Sequence, residues 1–551
     1  MINFEKKPFY LNKEKVDWVK KTFYEMSVDE KIGQLFLPVG YSSETKYLDD
    51  LLEKKIGGLF FRPGDFKELQ ATFNYMQKNS KIPLLTAANL EAGGSGAIVD
   101  GVDYAPQMAI GATADGTKYS YKLGEICAKS AKLVGINWGF SPVVDLDLNF
   151  RNPIINVRSF GNNSKDVINL SKQYIQAFND QELLTSIKHF PGDGVDERDQ
   201  HLLTSINSLS KSAWYNSYGE IYKELINFGT KTIMVGHIAF PAYTGTNTPA
   251  SLSKDIVTKL LREELGYNGL VITDATPMVG FASAMSRREA VPTAIQSGCD
   301  MFLFNHDLSE DIKYMKEGLD NGLLTVERLD EAVLRILATK ASINIHNKNN
   351  QVYEEDNLKE SFCDDQKQIA NESITLVTDS QNLLPITPQK HKKILLEILG
   401  DYESNVRVEN SIKNKLENYG FDVTLYEPEK NFYELGTVEE FKSKYDLVIY
   451  AANIETSSNQ TVARINWKTF FGLGNNVPWF VKEIPTLFIS FGNPYHYIDV
   501  PMISTLINSY SNFDHFIDAT IEKLVGKSKF LGSSPIDLDF TNSKLEKLKK
   551  F

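Results

Sequence analysis

A fourteen-residue segment, residues 188–201, concentrates side chains that could transfer protons. It reads KHFPGDGVDERDQH, with ionisable groups at Lys188, His189, Asp193, Asp196, Asp199 and His201. Its proline and two glycines favour a sharply turning loop. Residues two apart in an extended chain point the same way, so Asp199 can orient the His201 imidazole and raise its basicity. The pair predicts a general acid/base.

Two other interpretations of this loop remain open. It could be a solvated charged loop in which the histidine is incidental. It could also hold zinc, because histidine and aspartate are good zinc ligands, although no second histidine has the H-x-H or H-x₃-H spacing that would support this.

Asp274 is the second candidate for chemistry. It directly follows the apolar run GLVIT, residues 269–273, which has the composition of a buried strand. A carboxylate at such a position is costly unless it is paired or used. It could act as a nucleophile or electrostatic stabiliser of an electron-poor carbon, or merely cap a helix or pair with a neighbouring strand.

Eight short apolar runs alternate with amphipathic stretches through the first 310 residues. Strands that alternate with helices predict a mostly parallel sheet, and eight such units in about 300 residues fit a (β/α)₈ barrel, a TIM-like α/β fold. We assign residues 1–345 to this barrel. Barrels of this class carry their catalytic and binding residues at the carboxyl ends of the strands. Polar residues predicted there include Asn89, Glu91, Asp145, Asp147, Lys188, His189, His237 and Asp274. Of these, Asn89, Glu91, Asp145 and His237 are candidates for contact with a substrate. Asp145 and Asp147 could instead only brace the rim through hydrogen bonds.

A second α/β unit is predicted downstream of the barrel. Residues 346–364 have the polar composition of a linker, and six further apolar runs alternate with helical segments from residue 365 to residue 551. This pattern predicts a C-terminal α/β sandwich domain with a doubly wound sheet. No glycine-rich phosphate fingerprint follows any of its strands.

Composition and charge narrow the class of partner. The chain has 551 residues, of which 42% are hydrophobic, and a net charge of −12. Such a chain is repelled by nucleic-acid phosphates and anionic lipids, so we expect neither nucleic acid nor membrane as a partner. Three distant cysteines give no disulfide framework, and no signal peptide or membrane span is evident. These features predict a cytoplasmic protein, monomeric or homodimeric, without a cofactor or metal.

Four segments in the same order resemble a known family. They are SPVVDLDLNFRNPIINVRSFG, KHFPGDG with its following DQH, MVGHIAFPA with PASLSKDIVTKLLREELGYNGLVITDA, and SITLVTDSQNLLPI. Together they are similar to glycoside hydrolase family 3, in its NagZ-like β-N-acetylhexosaminidase branch. The resemblance covers nearly the whole chain.

The resemblance implies a role for each matching residue. Asp274 matches the aspartate that forms a covalent glycosyl intermediate, while Asp199 and His201 match the Asp-x-His acid/base dyad. Lys188 and His189 would hydrogen-bond sugar hydroxyls, and Arg158 would hold the sugar. Many β-glucosidases of the wider family instead take their acid from a glutamate on the second domain, so the dyad implies amino sugars. Met278, just after Asp274, is a candidate wall for an acetyl methyl group.

Three departures from the family pattern bear on specificity. The usual PGHG is PGDG here, with Asp193 in place of histidine, and the dyad spacer is Gln200 rather than serine. The family's D-x-E-G-G-R becomes NLEAGGSG, which puts Asn89, or Glu91 in a shifted alignment, at the aspartate position and removes the arginine. An amide both donates and accepts where a carboxylate only accepts, so sugar preference is open.

The sequence therefore predicts a retaining exo-β-N-acetylhexosaminidase that removes terminal amino sugars from small cell-wall or chitin-type fragments, as in peptidoglycan recycling. A neutral histidine base does not repel an anionic acceptor, so a β-glycoside phosphorylase is an alternative. A β-glycosidase of other sugar preference and a non-catalytic sugar-binding protein are the others.

Overall fold

The computed structural model describes residues 2–347, 358–400, 403–427, 436–467, 469–470, 473–474 and 476–538. All eight apolar runs of the predicted barrel form strands. In chain order the strands up to residue 310 are β1 (Phe36–Leu37), β2 (Val39–Gly40), β3 (Gly58–Phe61), β4 (Leu85–Ala88), β5 (Trp138–Gly139), β6 (Leu184–Phe190), β7 (Ser205–Ile206), β8 (Thr232–Val235), β9 (Ile238–Ala239), β10 (Leu270–Thr273) and β11 (Phe302–Leu303).

These strands pair in parallel and in chain order. A seven-stranded sheet runs β10-β8-β6-β5-β4-β3-β2, and β1, separated from β2 by Pro38, pairs with β11. A bridge between Ile272 and Met301 joins β10 to the last strand. The eight runs thus follow one another around a ring, and the predicted (β/α)₈ architecture is confirmed. The short pair β7–β9 lies outside the ring.

Helices connect successive strands, and alternate strand residues divide between two cores. Leu270 and Ile272 belong to one buried cluster and Val271 to the other, because successive side chains of a strand point to opposite faces. The helices and helical turns of this unit are Lys13–Tyr24, Val28–Gln34, Thr45–Glu53, Phe66–Asn79, Gly94–Gly96, Gln107–Gly111, Gly116–Leu133, Asn156–Arg158, Ser164–Asp180, Lys211–Trp214, Tyr215–Gly219, Glu220–Phe228, Pro241–Thr244, Ala250–Leu252, Asp255–Glu264, Val279–Ala282, Arg287–Gln296, Leu308–Asp320 and Val326–Ser342.

The second unit is a six-stranded sheet between helices. Its strands are β12 (Thr375–Asp379), β13 (Lys393–Leu399), β14 (Asp422–Leu425), β15 (Leu447–Ala452), β18 (Thr486–Ser490) and β19 (Thr505–Asn508), with the small pair β16 (Thr469–Phe470) and β17 (Leu473–Gly474) between them. The sheet order is β12-β19-β18-β15-β13-β14, and only the β12–β19 pair of this sheet is antiparallel. Its helices are Leu358–Ser361, Cys363–Ser373, Asn405–Asn418, Val438–Lys444 and Asp514–Leu524. Residues 348–357 of the predicted linker and 539–551 of the predicted domain lie outside the described residues.

Hydrogen bonds join the two units near the carboxyl ends of the barrel strands. Asn156 donates to Asn493 Oδ1 at 3.0 Å, and His515 Nε2 donates to the Tyr104 carbonyl at 2.6 Å. The backbone amide of Ser533 donates to the Ala112 carbonyl at 2.8 Å. The second unit therefore sits against the end of the barrel where the candidate residues lie.

Candidate active site

A cavity of about 840 Å³ opens at the carboxyl ends of the barrel strands. Most of the sequence-predicted site residues line it: Asn89, Glu91, Arg158, Lys188, His189, His201, Asp274 and Met278. Residues 456–459 of the second unit line it as well. The position of the strand ends explains this convergence, since parallel strands deliver their last residues to one rim.

Asp274 faces this cavity from the end of β10. Its backbone amide donates to the Val235 carbonyl at 2.8 Å, and its Oδ1 accepts from the Ala275 amide at 2.7 Å. Its Oδ2 lies 3.9 Å from His189 Nε2. Burial alone would raise the pKa of Asp274, but nearby histidines, His189 foremost, lower this pKa below its ordinary value. The carboxylate is thus held ionised, as a nucleophile must be.

The predicted dyad is assembled at the same cavity, with His201 in its wall. Asp199 Oδ1 accepts from His201 Nδ1 at 2.7 Å and from the His201 amide at 2.9 Å. The Asp199 side chain is fully buried, whereas 24% of the His201 side chain is exposed to the cavity. With Nδ1–H donated to the carboxylate, His201 Nε2 is left to exchange protons with a ligand.

His189 is fixed by Asp145 rather than by substrate. Asp145 Oδ2 accepts from His189 Nδ1 at 2.7 Å, and Oδ1 accepts from the Asp193 amide at 2.8 Å. Asp145 is fully buried and does not line the cavity. The prediction that Asp145 contacts substrate is therefore corrected: because its oxygens are occupied by protein donors, it orients His189.

His237 is also removed from the cavity. Its side chain is buried, its Nε2 donates to the Ala275 carbonyl at 3.0 Å and its Nδ1 accepts from the Ser251 hydroxyl at 2.8 Å. Burial lowers the pKa of His237, in keeping with a neutral ring. The expectation of substrate contact is corrected here as well, because both ring nitrogens already have protein partners beside the nucleophile.

Glu91 links the cationic residues of the rim. It pairs with Arg158 Nε at 2.7 Å and with Lys188 Nζ at 2.7 Å, while Lys188 also donates to Asn89 Oδ1 at 3.2 Å. Burial would raise the pKa of Glu91, but the two cations hold it well below the ordinary range. Glu91 therefore makes the ion pairs at this rim, and Asn89 supplies the amide next to them.

The two departures within the catalytic loop contact each other. Gln200 Nε2 lies 3.4 Å from Asp193 Oδ2, and Gln200 Oε1 accepts from the His237 amide at 2.8 Å. The pKa of Asp193 is raised to about 7, mainly because the carboxyl is buried and also because the negative charge of Asp145 is close. Gln200 thus ties the loop that carries the dyad to the end of β8, and it also lines the cavity.

Three cavity-lining features were missed by sequence reasoning. Tyr41 and Arg62 directly follow β2 and β3. The reasoning that predicted Asn89, that polar residues just after a barrel strand lie at the site, could therefore have predicted them as well. Residues 456–459 carried no signal, because their approach depends on the packing of the second unit. Within the described residues, no three His, Cys, Asp or Glu side chains come together to hold a metal ion, and no helix is long and apolar enough to cross a membrane.

Comparison with known proteins shows the family of this chain. The model "Glycosyl hydrolase family 3 N terminal domain" matches residues 27–339. A β-N-acetylglucosaminidase/β-glucosidase of Cellulomonas fimi is 41% identical over 98% of both chains. The solved structure of the β-glucoside phosphorylase BglX bound to 2FGlc is 40% identical, with a TM-score of 0.91 over 97% of this chain and 99% of that one.

A more distant structure shares the fold. A β-N-acetylglucosaminidase from Paenibacillus sp. superposes with a TM-score of 0.80 over 93% of this chain and 99% of that one, at 21% identity. The family resemblance of the four sequence segments is confirmed, and with it the expectation of a glycoside hydrolase. The chain belongs to glycosyl hydrolase family 3.

Proposed function

We propose that this chain is a retaining exo-β-glycosidase that releases terminal β-linked N-acetylglucosamine or glucose through a covalent glycosyl-Asp274 intermediate. The observation that carries the proposal is the joint presence, around one cavity, of an ionised carboxylate and an imidazole backed by its own buried carboxylate. Small cell-wall or chitin-type fragments in the cytoplasm are the natural donors that we propose.

The reaction has two balanced steps. In the first, an Asp274 oxygen forms a bond to the anomeric carbon as the glycosidic bond breaks, and His201 gives its Nε2 proton to the departing oxygen. In the second, neutral His201 takes a proton from the acceptor, whose oxygen bonds to the anomeric carbon and releases Asp274. Asp199 stays ionised and stabilises the imidazolium form, because burial is outweighed by hydrogen bonds that lower its pKa.

Two residues of the cavity wall, Met278 and Asn89, bear on which sugar the site accepts. Met278 is an apolar cavity-lining side chain suited to an acetyl methyl group, whereas Asn89 replaces the carboxylate that the amino-sugar branch carries. The Cellulomonas fimi relative bears both activities in its name. We therefore propose a site that accepts both donors rather than N-acetylglucosaminides alone.

Phosphorolysis is the second candidate, because the proton-transferring group is uncharged when it acts as a base. A carboxylate base would repel phosphate, whereas neutral His201 does not. The Asp199 carboxylate is fully buried, does not line the cavity and is hydrogen-bonded to His201. Arg62 adds an exposed guanidinium to the cavity wall, suited to an oxyanion. The related β-glucoside phosphorylase makes the same acceptor plausible here.

Release of p-nitrophenol from the β-N-acetylglucosaminide and the β-glucoside tests the donor. The same reactions with inorganic phosphate, analysed for sugar 1-phosphate, test the acceptor. Free sugar at a rate independent of phosphate supports hydrolysis; sugar 1-phosphate with a phosphate-dependent rate supports phosphorolysis. A fluorinated donor should label Asp274, as shown by peptide mapping. Absence of turnover with every aryl β-glycoside, together with absence of labelling, would refute the proposal.

A further inference from the structure

One hydrogen bond joins the second domain directly to the catalytic dyad. Residues 456–459 line the active-site cavity, and the backbone amide of Asn459 donates to Asp199 Oδ2 at 2.8 Å. The other oxygen of Asp199 receives both hydrogen bonds from His201. Each carboxylate oxygen therefore has its own partner, one in the barrel and one in the second domain.

Water cannot easily take the place of the Asn459 amide. The Asp199 side chain is fully buried, so an oxygen that lost this donor would be left without a hydrogen bond. A buried carboxylate with a free oxygen would rotate toward solvent or toward another donor. Either movement would shift the His201 ring, because His201 Nδ1 is held by the same carboxylate.

The segment before Asn459 is anchored inside the second domain. Asn512 Nδ2 donates to Asn453 Oδ1 at 2.8 Å, and Asn453 Nδ2 donates to Ser404 Oγ at 2.9 Å. Asn459 itself has a backbone φ of 66°, in the left-handed region that glycine and asparagine tolerate and β-branched residues do not. This backbone conformation delivers the amide to Asp199.

We propose that Asn459 is a positioning residue for proton transfer, through which the second domain fixes Asp199 and so the His201 imidazole. The inference rests on the proposed glycosidase function and deepens it. The second domain contributes a backbone amide that orients the acid/base on the barrel, whereas in many β-glucosidases of the wider family it supplies the acid itself.

Two substitutions at one position separate this role from a general loss of structure. Asn459→Val disfavours the positive φ and should withdraw the amide, whereas Asn459→Gly keeps both the amide and the conformation. Each variant is assayed with a phenyl β-glycoside, whose leaving group needs a proton, and with the dinitrophenyl β-glycoside, whose leaving group does not. Deletion of Ser458 provides a second way to move the amide should the valine variant fail to fold.

For Asn459→Val we expect kcat/KM on the phenyl glycoside to fall roughly tenfold or more, with the dinitrophenyl glycoside within about twofold of wild type. Asn459→Gly should keep the wild-type ratio between the rates on the two glycosides. Equal losses on both glycosides, or no loss on either, in the valine and deletion variants would overturn the inference. Failure of the wild-type protein to cleave either glycoside would instead overturn the proposed function.

Discussion

Asp145→Asn tests whether a residue that never touches substrate controls the reaction. Asp145 accepts three N–H groups: the His189 ring and amide, and the Asp193 amide. Asparagine keeps one oxygen and turns an NH₂ group toward one of these donors. A hydrogen bond to a buried charge is worth about 1.5–3 kcal/mol. At about 1.36 kcal/mol per tenfold in rate, kcat/KM should fall roughly 10- to 150-fold.

Asp147→Asn is the matched control for this experiment. Asp147 is also buried and lies two residues further along the same loop, but it faces Tyr495 of the second domain rather than His189. Burial raises the pKa of Asp147 to about 7, so a neutral amide resembles the acid form that it readily adopts.

The assay is the initial rate of p-nitrophenol release by each variant, with melting temperature as the check on folding. We expect Asp147→Asn to stay within about threefold of wild type. The reasoning fails if Asp145→Asn also stays within that range, or if both variants lose activity equally.

Three further outcomes follow from the structure. Asp274→Ala should lower kcat by at least about 10³, and added azide should restore turnover because it replaces the missing carboxylate. Absence of rescue by azide would argue against Asp274 as the nucleophile. Glu91→Gln leaves Arg158 and Lys188 without their anion, so the free energy of unfolding in urea should fall by about 3 kcal/mol; an unchanged value would contradict this. Burial lowers the pKa of Lys340 from 10.5 to about 7, so this group contributes most to stability above pH 10.5, where its amine is neutral, and the contribution is lost progressively as the pH falls from 10.5 to 7. Relative to Lys340→Met, the wild type should lose on the order of 4 kcal/mol between about pH 10 and pH 7 in urea titrations; parallel curves would refute it.

The barrel strands were predictable because each is a short apolar run closed by glycine, proline or a polar turn. The expectation that functional residues lie at the carboxyl ends of the barrel strands then placed Asp274, Glu91 and Lys188 near one another without any knowledge of loop conformation. The same expectation could not say which way a side chain turns. Asp145 and His237 both stand at strand ends, yet both point away from the cavity to hold other groups.

The contribution of the second domain was beyond sequence reasoning for a different reason. Asn459 acts through its backbone amide, which every residue except proline possesses, so its side-chain type does not indicate a contact with Asp199. Asn459 and Asp199 are also 260 residues apart in the chain, so no short sequence motif contains both. Only the docking of two domains brings the two groups together.

The contact between Asp193 and Gln200 constrains how this loop can change over evolutionary time. Replacing Gln200 by serine would leave buried Asp193 Oδ2 without this amide donor, while Asn152 would still donate to Oδ1. Replacing only Asp193 would leave Gln200 Nε2 without its acceptor. A change from the family's PGHG…DSH motif to the PGDG…DQH motif of this chain therefore requires an intermediate with only one of the two replacements, and we expect that intermediate to be less stable. Relatives should carry one matched pair or the other, and hybrids should be rare.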